Sequence, residues 1–151
     1  MKNIFLIIIF LLLNNCGYTP IYTSRDSNFK IVSINSNVNN SLTNYIENNI
    51  SVFSNEESNK KYNISFELKE EISVILKDSK GDPSKNRLTI SIDLSLLDIN
   101  ENLVASNSFS ESFQYNIDDN KFNLKQYEKN IKFSLVEQIS TQIIEFLTNV
   151  K

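Results

Sequence analysis

The stretch YNISFELKEEISVIL, from Tyr62 to Leu76, decides the fold. Tyr62, Ile64, Phe66, Leu68, Ile72, Val74 and Leu76 take every even position, with Glu70 the only exception. Asn63, Ser65, Glu67, Lys69, Glu71 and Ser73 lie between them. A period of two over that length predicts a long strand with one dry face and one wet face. Arg87 to Leu97 repeats the pattern, with Leu88, Ile90, Ile92, Leu94 and Leu96 turned inward. Asp98 to Asn102 reads as a turn, and Leu103, Ala105, Phe109, Phe113 and Tyr115 carry a third long strand with weaker alternation.

Moving toward the N-terminus, residues 54–60 read as a loop. Before it, Val38, Leu42, Tyr45, Ile46, Ile50 and Phe53 fall at helical spacing, which predicts an amphipathic helix over 39–53. Asn35 to Asn37 offer N-caps for it. Phe29 and Ile31 begin a short strand over about 29–34. Toward the C-terminus, Leu124, Tyr127, Ile131, Leu135, Ile139, Ile143, Phe146 or Leu147, and Val150 form one stripe, so the last 28 residues read as a long helix. Glu128 and Lys132 are expected on its outer side as an i,i+4 pair. The order is β-α-β-β-β-α. One-faced strands with short turns argue an antiparallel arrangement for the last three. Both helices must then cover the apolar face. The expectation is an α+β two-layer sandwich, with two helices packed on one face of a mostly antiparallel four-stranded sheet.

The N-terminus has a different character. Lys2 precedes an unbroken apolar run from Ile4 to Leu13. Ten residues of helix span about 15 Å, half of a bilayer core, so the run reads as the apolar part of an export signal. Leu13-Asn14-Asn15-Cys16 follows at once and resembles the lipobox of bacterial lipoproteins, with Asn15 where that pattern prefers a smaller residue. The resemblance implies cleavage before Cys16 and lipid on its sulfur and amino group. Gly17 follows where an Asp would signal inner-membrane retention, so the outer membrane is the expected destination. The chain then divides into a signal at 1–15, a lipidated tether at 16–28 and one domain at 29–151.

Composition narrows the function. The chain has 40% hydrophobic and 22% charged residues, which is a globular balance. A net charge of −3 argues against wrapping nucleic acid, where the balance should be strongly basic. There is no His, so the commonest general base is missing, and the one Cys is taken by lipid. No serine lies in a Gly-x-Ser-x-Gly turn, and Gly81 stands alone rather than in a phosphate loop. The chain is therefore expected to be no enzyme and to need no metal or cofactor. What remains is cationic: Lys77, Lys80, Lys85 and Arg87 fall within eleven residues between the two best strands, and Lys121 and Lys125 come in a loop ahead of the last helix. If the strands run antiparallel, Lys80 and Lys121 share one end of the sheet. Such groups suit anionic headgroups, although on composition alone an ordinary solvated loop is the stronger explanation.

Cys16-Gly17-Tyr18-Thr19-Pro20-Ile21-Tyr22 resembles the CGFxPLY opening of the LptE family of LPS-assembly lipoproteins, in its alphaproteobacterial form. Further along, Leu42 and Ile46 in the helix, Tyr62-Asn63-Ile64 opening the second strand, Arg87, Phe113-Gln114-Tyr115 and Tyr127 follow that family's order. The turn differs, with Asn100-Glu101-Asn102 where relatives often carry Gly; an Asn can adopt the left-handed backbone required there. The resemblance implies a non-enzymatic plug of LptD, a large outer-membrane β-barrel, that helps the barrel assemble and meets lipopolysaccharide (LPS) on the periplasmic side. Lys77, Lys80 and Lys121 are the nearest positions to the basic residues such proteins present to LPS phosphates. The alternative is an outer-membrane lipoprotein that scaffolds another envelope complex or the cell wall.

Overall fold

The computed structural model describes residues 27–150. Cys16, the signal and the tether up to residue 26 lie outside that range. The elements are β1 (Lys30–Ser36), α1 (Ser41–Ser51), β2 (Lys61–Lys77), β3 (Pro83–Leu97), β4 (Leu103–Asn116) and α2 (Lys121–Asn149). The strands form one sheet in the order β1-β2-β3-β4. β1 runs parallel to β2, whereas β2, β3 and β4 form an antiparallel meander. This is the expected α+β sandwich, with both helices on one face.

The register shows why alternation specifies the sheet. Ile64, Phe66 and Leu68 stand opposite Leu96, Leu94 and Ile92, and those three stand opposite Ala105, Asn107 and Phe109. A slip of one residue would turn every apolar side chain outward. Ile64, Leu88, Ile90 and Ile92 are completely buried, as are Ile46 and Ile50 of α1 and Val136, Ile139 and Ile143 of α2. At about 1.5–3 kcal/mol for each large aliphatic side chain removed from water, these rows hold the two layers together. The sequence exception also finds its reason. Glu70 lies on the inner face opposite Ile90, where Lys132 of α2 forms an ion pair with it. Lys132 is therefore not on the outer side of α2, and its expected pairing with Glu128 is replaced by this one. Glu128 instead accepts a hydrogen bond from the buried Tyr115 hydroxyl at 2.5 Å.

Local chemistry sets the boundaries. Asn40 caps α1, its Oδ1 accepting from the backbone N–H of Leu42 and Thr43, while Thr43 Oγ1 accepts from Asn40 N–H. The reciprocal pair satisfies donors that a helix start leaves open. Asn37, expected as a cap, does something else. Its side-chain amide exchanges hydrogen bonds with the backbone of Leu68, at 3.0 Å to Leu68 N and 3.4 Å to Leu68 O. It stands where the next residue of β1 would pair, and among the described residues no strand lies on that side of β2 from Lys69 onward. At the other end of β1, Ser27 is buried and Asn55 Nδ2 donates to its carbonyl.

The two hairpin turns share one design. Asp78 Oδ1 accepts from the N–H groups of Lys80 and Asp82, and Asp98 Oδ1 accepts from those of Asn100 and Asn102. The fourth residue is left-handed in both: Gly81 at φ 90° and Glu101 at φ 64°. The expectation that an Asn takes this conformation is corrected, because the register places Glu101 there. The alternation of β2 also ends earlier than expected. An irregularity between Val74 and Leu76 sets Leu76 opposite Lys85, out of phase with the inner row. β3 begins at Pro83 and α2 at Lys121, so Lys85 and Arg87 belong to a strand, and Lys121 and Lys125 to the helix rather than to loops.

Candidate functional site

The lysines singled out in the sequence come together at one end of the sheet. Lys77 closes β2 opposite Pro83, Lys80 lies in the Asp78–Asp82 turn, and Lys121 is the first residue of α2. β4 leaves the sheet beside the start of β3, with Lys85 opposite Asn116 and Ile117 N–H donating to Ser84 O at 3.0 Å. That pairing brings the start of α2 to the end that carries the turn. Asn120 caps α2 by accepting from Phe122 and Asn123 N–H, and its own N–H donates to Asp118 Oδ1. Lys77, Lys80 and Lys121 are all exposed, and none has an ion-pair partner among the described residues. Asp82, Asp118 and Asp119 share this end, so its surface is mixed in charge rather than uniformly basic.

A second cluster was missed in the sequence. Asn40, Ser41 and Leu42 at the start of α1, Glu70 on β2, and Lys125, Glu128, Lys129, Lys132 and Phe133 of α2 line an open groove of about 350 Å³. Lys125, Lys129 and Lys132 follow helical spacing, a signal present in the sequence but lost when Lys125 is assigned to a loop. Beyond the groove, Ile72 and Val74 continue the inner row of β2, each 48% exposed. Tyr115 lies nearby, its ring edge-on to Tyr127. Burial, reinforced by the Glu128 carboxylate, pushes its hydroxyl pKa up to about 12.

The carboxylates of the outer sheet face serve structure. Asp93 lies between Lys69 Nζ at 3.0 Å and Ser108 Oγ at 2.6 Å, which lock β2, β3 and β4 in register. The Ser108 hydroxyl and then Lys69 lower the Asp93 pKa, and Asp93 with Glu67 raises that of Lys69. No group of three or more His, Cys, Asp or Glu side chains suited to a metal occurs among the described residues. None of the described helices is long and apolar enough to cross a membrane.

Comparison by sequence with protein families and with curated proteins finds no match. Comparison of structures does. Lipoprotein B from Nitrosomonas europaea superposes with a TM-score of 0.66 at 16% identity, over 87% of this chain and 90% of that one. The minor lipoprotein from Acinetobacter baumannii gives 0.62 at 13% identity, over 79% and 90%. The rare lipoprotein B from Shewanella oneidensis gives 0.57 at 10% identity, over 80% and 97%. The chain has the fold of bacterial lipoproteins. At these identities it is the fold alone that is shared.

Proposed function

We propose that this chain is a non-enzymatic lipoprotein anchored in the outer membrane through lipid on Cys16, with its domain on the periplasmic side. There it plugs an LptD-type β-barrel, helps that barrel assemble, and presents Lys77, Lys80 and Lys121 to LPS phosphates. The observation that carries this reading is the match of nearly the whole domain to three bacterial lipoproteins. The lipobox and the CGYTPIY opening supply the anchor and the choice of barrel. The gathering at one end of three lysines with no ion-pair partner among the described residues supplies a surface for an anionic headgroup.

Affinity isolation from detergent-solubilised membranes tests the barrel. Recovery of one large outer-membrane β-barrel in equal amount is expected, and recovery of soluble periplasmic proteins alone refutes the plug. Replacing Lys77, Lys80 and Lys121 with Ala is expected to weaken LPS binding and flatten its salt dependence without altering the fold. Binding that stays the same removes these residues from the site.

A further inference from the structure

Past α1, the inner face of β2 becomes the floor of a trough. Ile72 and Val74 form that floor, each 48% exposed. The Glu70–Lys132 ion pair closes its inner end, beside Asn40, Ser41 and Leu42 at the start of α1. α2 supplies one wall. Tyr115 stands opposite Asn86 and Asn86 opposite Val74, and the Tyr115 hydroxyl donates to Glu128, so this turn of α2 lies level with Val74. Lys129 and Lys125 therefore follow Lys132 toward the mouth as Ile72 and Val74 follow Glu70. The mouth opens at Lys77, where β2 ends.

The tether does not reach this row. β1 begins opposite Lys61, and Val74 lies about 43 Å further along β2. Once cleaved and lipidated as proposed, residues 16–26 extend at most about 40 Å, with Cys16 held in the membrane.

Charge and length name the occupant. Both carboxylates of the groove are engaged, Glu70 by Lys132 and Glu128 by Tyr115. Lys125 and Lys129 are exposed and have no ion-pair partner among the described residues. An apolar floor beneath two spare cations suits a molecule that is apolar at one end and anionic at the other. An acyl chain spans half of a bilayer core, about 15 Å, and the floor from Lys77 back to Glu70 runs about 23 Å.

We propose that the trough holds one acyl chain of LPS, which enters at Lys77 and points toward Glu70. The stems of Lys125 and Lys129 line the chain, and their ammonium groups reach back to its phosphate. Lys77, Lys80 and Lys121 meet the headgroup outside the mouth. This rests on the reading that the lysine end meets LPS phosphates, and it adds a place for the apolar part of the same molecule.

The test uses the full chain, isolated from membranes, with purified LPS. Ile72→Asn with Val74→Asn is expected to lower LPS affinity about tenfold and to leave its salt dependence unchanged, since no charge is altered. Ile72→Leu with Val74→Leu should bind as the wild type does. So should Ile99→Asn with Leu103→Asn, at exposed apolar positions of the opposite end. Circular dichroism of each variant checks that the fold is kept. A photoreactive residue at Val74 is expected to give an adduct with LPS, and one at Ile99 none. Full affinity in the Ile72, Val74 asparagine variant overturns the proposal, as does equal labelling from both positions. Labelling of a protein rather than LPS from Val74 also overturns it. If the asparagine variant keeps its affinity while loss of Lys77, Lys80 and Lys121 weakens binding, the trough fails and the phosphate reading stands. A wild-type chain that does not bind LPS removes both.

Discussion

The end of the sheet near the Asp98–Asn102 turn and the end near the Asp78–Asp82 turn are made of the same alternating strands, yet only the first is closed. Ile64 and Val74 both follow the inward rhythm of β2, but Ile64 is fully buried and Val74 is 48% exposed. Length explains the difference. β2, with seventeen residues, extends about 56 Å, whereas α1, with eleven, covers about 16 Å. α2 crosses β3 and β4 and leaves the far half of β2 bare. Alternation declares which side of a strand is apolar; the reach of the neighbouring helix decides whether that side is covered.

The largest contrast to test is between equivalent positions at the two ends. Ile92→Ala in the closed half is expected to cost about 2–5 kcal/mol in chemical denaturation, the range for emptying a packed core site. Val74→Ala should cost well under about 1 kcal/mol, since little burial is lost. Equal losses would show that the far half is covered after all. Next is Tyr115, which ties β4 to α2 beside the open half. Its hydroxyl pKa is raised from the ordinary value near 10 to about 12, so the native state holds that proton longer than the unfolded chain. The associated stability is intact below pH 10 and is lost as pH rises toward 12, by roughly 1–3 kcal/mol. Tyr115→Phe should flatten this part of the stability–pH curve.

Smaller effects sharpen the boundary between the halves. Asn40→Ala removes the cap where α1 begins and is expected to cost about 1 kcal/mol of thermal or chemical stability. At the closed end, Glu101 holds a left-handed backbone that Gly81 adopts freely at the open end. Glu101→Gly is therefore expected to stabilise by up to about 1 kcal/mol, and a loss of stability would show that its side chain matters more than its backbone.

Much of this was legible in the sequence. The period-two runs around Ile64, Ile92 and Phe109 specified three strands and their inner faces, and the Ile131–Ile143 stripe specified the long helix. Antiparallel counting brought Lys80 and Lys121 to one end. Strand order was not legible, because alternation names a face and not a neighbour; β1 pairs with β2 in parallel, and the backbone-like amide of Asn37 continues that pairing past the end of β1. The burial of Ile64 and exposure of Val74 were not legible either, because both obey the same rhythm. The groove was overlooked because Lys125, Lys129 and Lys132 were divided between a loop and a helix, and Glu70 looked like an interruption until Lys132 met it.

β1 has a kinetic consequence. The meander closes through two five-residue turns, which are local contacts that form early. β1, only seven residues long, reaches β2 through a crossover that includes α1, and among the described residues it borders no other strand. The entropy of closing that longer loop makes β1 the last strand to dock and the first to open. Its amides are expected to exchange with solvent well before those of β3, so an opening excursion starts at the N-terminal edge of the sheet while the meander stays folded.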